Sequence, residues 1–114
     1  MNRVPEFVWI DSADPRYPEW VALRQRILRD PLGLRFSELD FLAEKEDRHL
    51  LARENSTLLG GLIVRSDPVN PRSWKIRQVA VAESLQGRGV GSSLMQHAMC
   101  RAGEEGVEEI SLHS

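Results

Sequence analysis

Residues 79 to 95 read Val79-Ala80-Val81-Ala82-Glu83-Ser84-Leu85-Gln86-Gly87-Arg88-Gly89-Val90-Gly91-Ser92-Ser93-Leu94-Met95. The β-branched Val79 and Val81 suit a pleated strand. Gly87, Gly89 and Gly91 then remove the Cβ from alternate positions and free φ to become positive. Helical spacing takes over in Leu94, Met95, Ala98 and Ala102. The stretch is therefore strand, loop and helix, with the glycines where the first helical N–H groups have no intrahelical acceptor. Those donors and the positive end of the macrodipole favour an anion such as a phosphate, and Arg88 adds a full positive charge. One glycine would serve an ordinary turn; three in alternation predict a cradle for a pyrophosphate.

The spacing narrows the ligand. The P-loop pattern fails, because no Gly-Lys-Ser or Gly-Lys-Thr follows the turn. The dinucleotide pattern matches at Gly87 and Gly89, but Ser92 stands at its third glycine, and Ala82 to Gln86 separates the strand from the glycines. No strand ending in an acidic residue follows at the required distance of about 20 residues. An NAD-binding fragment is disfavoured on these grounds.

The stretch resembles motif A of the GNAT acyltransferase superfamily, Gln/Arg-x-x-Gly-x-Gly/Ala, supplied here by Gln86, Gly89 and Gly91. Val79-Ala80-Val81 ahead of it at the family's spacing, a helix behind it and the strand-like Glu109-Ile110-Ser111-Leu112-His113 extend the likeness, which runs from about residue 20 to 113 and is best from Lys75 onward. The resemblance implies an α/β mixed-sheet, GNAT-like acyl-CoA N-acyltransferase fold over residues 1–114 as one domain. Its expected order is strand-helix-helix-strand-strand-strand-helix-strand. It implies acetyl-CoA as cosubstrate, with Val79, Ala80 and Val81 along the pantetheine arm. Gly87, Arg88, Gly89, Val90, Gly91 and Ser92 would hold the diphosphate, with Gln86 of the motif beside them.

The implied reaction moves an acetyl group to a primary amine by direct attack on the thioester. The acceptor would be a small-molecule or peptide amine. A general base is then needed, and the backbone amide of Val79 is the expected donor to the developing oxyanion. Many family members carry a Glu in strand four; Lys75 stands near that position here, so no base carries over. His113, ending strand five beside the expected slot, is the candidate catalytic base, against the reading of a satisfied structural histidine. The family normally continues with a helix and two strands, commonly bearing a Tyr that protonates the departing thiolate. This sequence stops at Ser114, and its only tyrosine, Tyr17, lies in the first helix region. A C-terminally truncated form, or a homodimer covering the edge of strand five, is expected. The competing class is a non-catalytic CoA-binding or interaction domain on the same fold.

Composition is consistent with a single domain: 114 residues, 41% hydrophobic and 28% charged. A net charge of −2 gives no case for nucleic acid or an anionic membrane surface. The lone Cys100 forms no internal disulfide and reads as a small buried hydrophobe in a helix. No apolar run nears 18 residues and no signal peptide opens the chain, so a cytoplasmic location is expected. The three His and one Cys show no metal-ligand spacing.

Along the chain, Glu6–Ile10 reads as a first strand, and a helix from about Pro18 to Arg29 carries a core stripe of Trp20, Leu23 and Ile27 closed by Pro31. Ser37 and Asp40 form a capping-box pattern for a second helix to Glu46. The region between strands one and two commonly borders the acceptor site in the family, so Phe36 and Phe41 are candidates for its lining, with ordinary burial the competing reading. The charge run Glu44 to Arg48 reads as a solvated helix end. A hairpin follows, His49–Arg53 and Thr57–Arg65, in which Gly60-Gly61 marks a bulge or a close backbone approach. In strand four Trp74 and Ile76 sit at even positions but Val79 and Val81 at odd ones. Keeping all four on the core face requires an extra residue, a β-bulge, near Arg77 or Gln78, against the reading that Gln78 and Ala80 face a second buried layer.

Overall fold

The computed structural model describes residues 5–113. Its elements are β1 (Glu6–Ile10), α1 (Tyr17–Arg24), α2 (Glu38–Ala43), β2 (Arg48–Glu54), β3 (Thr57–Ser66), β4 (Ser73–Val81), α3 (Val90–Glu104) and β5 (Glu109–His113). The strands form one sheet in the order β1-β2-β3-β4-β5, antiparallel throughout except for the parallel β4–β5 pair. Only a crossover can join parallel neighbours, and α3 supplies it. The expected element order and mixed sheet are those observed.

Both faces of the sheet are covered. Leu94, Ala98 and Ala102 of α3 pack on Leu50, Leu62, Val64, Trp74 and Ile76, while Trp20 and Leu23 of α1 pack on Ile10, Leu51, Ile63 and Ala80. The central β3 is accordingly buried on both sides from Leu58 to Val64. Cys100 is exposed, contrary to the expectation of burial. It lies two positions past Ala98, about 200° around the helix from the core stripe.

The first helix does not run to Arg29 at one pitch. It passes at Gln25 into a π-helical turn and at Asp30 into a 3-10 turn ending in left-handed Gly33. Such pitch changes are frequent at functional positions. The capping box of Ser37 and Asp40 is present, with Asp40 accepting from Ser37 N at 2.7 Å, but α2 stops at Ala43.

The hairpin turns on Asn55 and Ser56, at φ 50° and 68°; this pair of left-handed residues gives the twist of a two-residue hairpin loop. One register shift falls between Ala52 and Arg53, opposite Leu58 and Gly60, so Leu59 joins Leu62 and Val64 on the α3 face. The close approach expected at Gly60-Gly61 is also present. A Cβ on Gly60 would lie 2.7 Å from the Ala80 carbonyl oxygen, and one on Gly61 2.9 Å from both the Leu50 oxygen and the Trp20 ring. These glycines let β4 and α1 close onto β3.

Because Gly61 faces backbone on one side and a fully buried ring on the other, Gly61→Ala should lower unfolding stability by about 1–3 kcal/mol, the usual cost of overpacking. Chemical denaturation of the two proteins measures it.

Candidate active site

The second register shift lies in β4. Gly61 pairs with Ala80 but Ile63 pairs with Arg77, so two steps on β3 match three on β4. The surplus residue is Gln78, at φ 50°. This is the bulge expected near Arg77 or Gln78, and it flips the side-chain alternation: Trp74 and Ile76 face α3, while Ala80 faces α1. A non-glycine residue in the left-handed region costs about 1–2 kcal/mol and needs support from its surroundings.

The support is a buried polar cluster. The Arg24 side chain, fully inaccessible, donates from Nη1 to Gln78 Oε1 at 3.0 Å and grips both Glu44 carboxylate oxygens at 2.7 and 2.8 Å. Tyr17 Oη donates to the same carboxylate at 2.7 Å, and the guanidinium lies 5.0 Å from the ring centres of Trp20 and Phe36. Burial alone would raise the Glu44 carboxyl; the Arg24 hydrogen bonds and charge outweigh it and hold its pKa below the usual value. Burial and the bond to Glu44 push the Tyr17 phenol up to about 12, which keeps it protonated. Sequence reasoning missed this cluster. The run Glu44 to Arg48 is not a solvated helix end, since Glu44 and Asp47 are 2% and 4% exposed. Asp47 accepts two bonds from Arg65, at 2.9 and 2.8 Å. A charge run facing water and one whose carboxylates turn inward to arginines look alike in a sequence.

Past the bulge, β4 has only β3 as a neighbour among the described residues. Its pairing with β5 ends at Arg77–His113, and the strand continues against β3 alone. A cleft of about 750 Å³ opens there, walled by Gln78, Val79, Leu112 and His113 on the sheet side and by Leu28, Arg29 and Leu32 on the other. Val79 is 37% exposed, and His113 Nε2 stands 3.2 Å from Ser111 Oγ. Phe36 and Phe41 do not line this cleft: Phe36 caps Arg24 and Arg29, and Phe41 borders a separate hollow with Tyr17. Of the other histidines, His97 stacks on Phe7 with ring centres 3.8 Å apart. His49 is fully buried, its Nδ1 accepting from Trp20 Nε1 at 3.0 Å.

At the other end of the same β4 segment a second hollow, about 440 Å³, is lined by Val81, Gln86, Gly87, Gly89, Gly91 and Ser92. Gly87 and Gly89 both have φ 83° and open space where a Cβ would sit. Gly89 caps α3 without any side-chain hydrogen bond to the helix's first amides. Gln86 Nε2 donates to the Val81 carbonyl at 3.2 Å, so this side chain ties the loop to the strand, and Arg88 extends into solvent. The loop thus offers open, left-handed backbone and uncapped amides, a fit for a diphosphate.

The sequence profile of the acetyltransferase (GNAT) family matches residues 7–114. The chain belongs to the GNAT acetyltransferase family. Solved acetyl- and acyltransferase structures share the fold at low identity. An acyl-CoA N-acyltransferase from Pseudomonas aeruginosa is 22% identical with a TM-score of 0.76, over 96% of this chain and 78% of that one. An aminoglycoside acetyltransferase from an uncultured soil metagenomic sample, solved with sisomicin, is 18% identical with a TM-score of 0.76, over 96% and 77%. An aminoglycoside N-acetyltransferase solved with CoA is 16% identical with a TM-score of 0.72, over 100% and 79%. Among the described residues of this GNAT domain, no helix is long and apolar enough to cross a membrane.

The buried cluster can be probed by substitution and by pH. Glu44→Gln leaves Arg24 as an uncompensated buried charge and should cost about 3–5 kcal/mol of stability in denaturant titrations. Burial, then the Arg24 charge, lowers the His49 pKa from 6.5 to about 4. The unfolded chain therefore binds the proton first. Stability should be intact above pH 6.5 and fall by about 3 kcal/mol as the pH drops towards 4, with a further loss below that as Glu44 protonates on unfolding. His49→Gln, which keeps an acceptor for Trp20, should flatten the first part of the thermal midpoint–pH curve.

Proposed function

We propose that this chain transfers an acetyl group from acetyl-CoA to a primary amine by direct attack on the thioester. The observation that carries the reading is geometric. One strand segment, Val79 to Val81, joins an uncapped helix N-terminus at one end to an open cleft at the other, and on its β5 side it has no strand partner among the described residues.

Acetyl-CoA would supply the activated acyl group. Gly87 to Ser92 would bind its diphosphate through backbone amides and the α3 dipole, with Arg88 adding charge. The unpaired edge of Val79, Ala80 and Val81 offers backbone groups that can bond an amide-bearing arm as a neighbouring strand would. The Val79 amide, next to a residue with φ 50° and on the cleft wall, would serve as donor to the developing oxyanion. His113, in the cleft wall, would take the amine proton, directly or through water, while the C–S bond breaks and CoA leaves as a thiolate that takes a proton from solvent.

Ser92→Glu tests the cradle without breaking the helix. A carboxylate in the first turn favours the helix N-terminus, by about 0.3–1 kcal/mol, but repels a diphosphate. The variant should melt at or above the parent temperature while its calorimetric affinity for acetyl-CoA falls at least about tenfold, or about 1.4 kcal/mol. Unchanged affinity in the folded variant would remove the cradle.

A further inference from the structure

The cleft carries charge that the proposed coenzyme does not use. Arg24, Arg26, Arg48 and Arg65 each hold a carboxylate with two nitrogens. Arg29 and Arg77 line the cleft and have no ion pair among the described residues. The Arg29 guanidinium carbon lies 4.6 Å from the centre of the Phe36 ring, a contact that suits a planar cation. Asp40 is the acidic group that senses both arginines, its pKa being lowered first by hydrogen bonds from Ser37 and more weakly by Arg29 and Arg77. One Asp40 oxygen, Oδ2, already serves the α2 capping box, accepting from Ser37 N and Oγ. The remaining walls, Leu28, Leu32, Val79 and Leu112, are apolar.

Resting on the transferase reading above, we infer that the acceptor held here is an amine bearing a carboxylate on an apolar body, such as an apolar amino acid or short peptide. A guanidinium presents the fork that a carboxylate matches with two parallel hydrogen bonds, and a second cation on the same cleft adds attraction. The diphosphate cradle lies at the far end of the β4 segment, beyond Val81, so the coenzyme's phosphates do not satisfy this charge. The same two cations disfavour polycationic acceptors, a repulsive element in the selectivity of the cleft.

The test uses two ligands that differ only in charge, N-acetylleucine and N-acetylleucinamide, titrated into the protein by calorimetry or NMR. The acid should bind at least tenfold more tightly, and the ratio should shrink as salt is raised. In the Arg29→Gln/Arg77→Gln double variant the ratio should fall to within threefold of unity. Arg29→Lys/Arg77→Lys should keep a preference for the acid, and thermal melting checks that each variant folds. Equal affinities in the parent protein, tighter binding of the amide, or no binding of either at millimolar concentration would overturn the inference. A protein that prefers the acid but does not bind acetyl-CoA would leave this inference standing and remove the transferase reading, so the two failures are distinguishable.

Discussion

The hydrogen bond from buried Arg24 to Gln78 holds a residue of β4 at φ 50°, a conformation that backbone sterics disfavour. The rest of the site depends on that constraint. The surplus residue flips the alternation of side chains, so that Trp74 and Ile76 stay beneath α3 while Ala80 turns to the α1 layer. It falls next to the pair Arg77 with His113, and from Gln78 to Val81 the strand pairs with β3 alone among the described residues. The brace adds to the register that the buried side chains of Trp74, Ile76 and Ala80 impose on β4. Arg24 supplies the brace from outside the sheet, and Glu44 with Tyr17 makes it possible for Arg24 to be there at all.

Glycine serves two separate purposes in this chain. Gly60 and Gly61 are required by crowding, since a Cβ on either would collide with backbone of a neighbouring strand. Gly87 and Gly89 are required by conformation, each at φ 83° with empty space around the missing Cβ. The first pair draws α1 and β4 tightly onto β3. The second shapes an open loop at the helix N-terminus.

Electrostatics divides the arginines the same way. Those that bond carboxylates tie elements together: Arg24 joins α1 to the end of α2, Arg65 joins β3 to Asp47, and Arg48 joins β2 to Glu105 after α3. The exposed pairs among them contribute little each, whereas the fully buried Arg24–Glu44 pair is costly to break because neither charge can return to water. Arg29 and Arg77 stand apart: both line the cleft and neither has an ion pair among the described residues.

Local rules written in the residues determined most of the architecture. The short apolar runs of β1 to β4, the Ser37–Asp40 capping box and the helical stripe Leu94, Ala98 and Ala102 act within a few positions of one another, so they are legible without tertiary knowledge. The bulge was legible too, because side chains alternate along a strand and one inserted residue absorbs the change of parity between Ile76 and Val79. The glycine loop and its spacing to Val79–Val81 likewise marked the family. What only the tertiary structure decided are contacts between residues far apart in the chain: Arg24 with Glu44 and Gln78, the burial of Glu44 and Asp47 within a charged run, and the meeting of Arg29, Arg77 and His113 around one cleft. A charged residue's sequence neighbours do not state whether it faces water or an opposite charge. That depends on which elements the sheet brings together, and a sheet assembles strands whose positions in the chain carry no record of the distance between them.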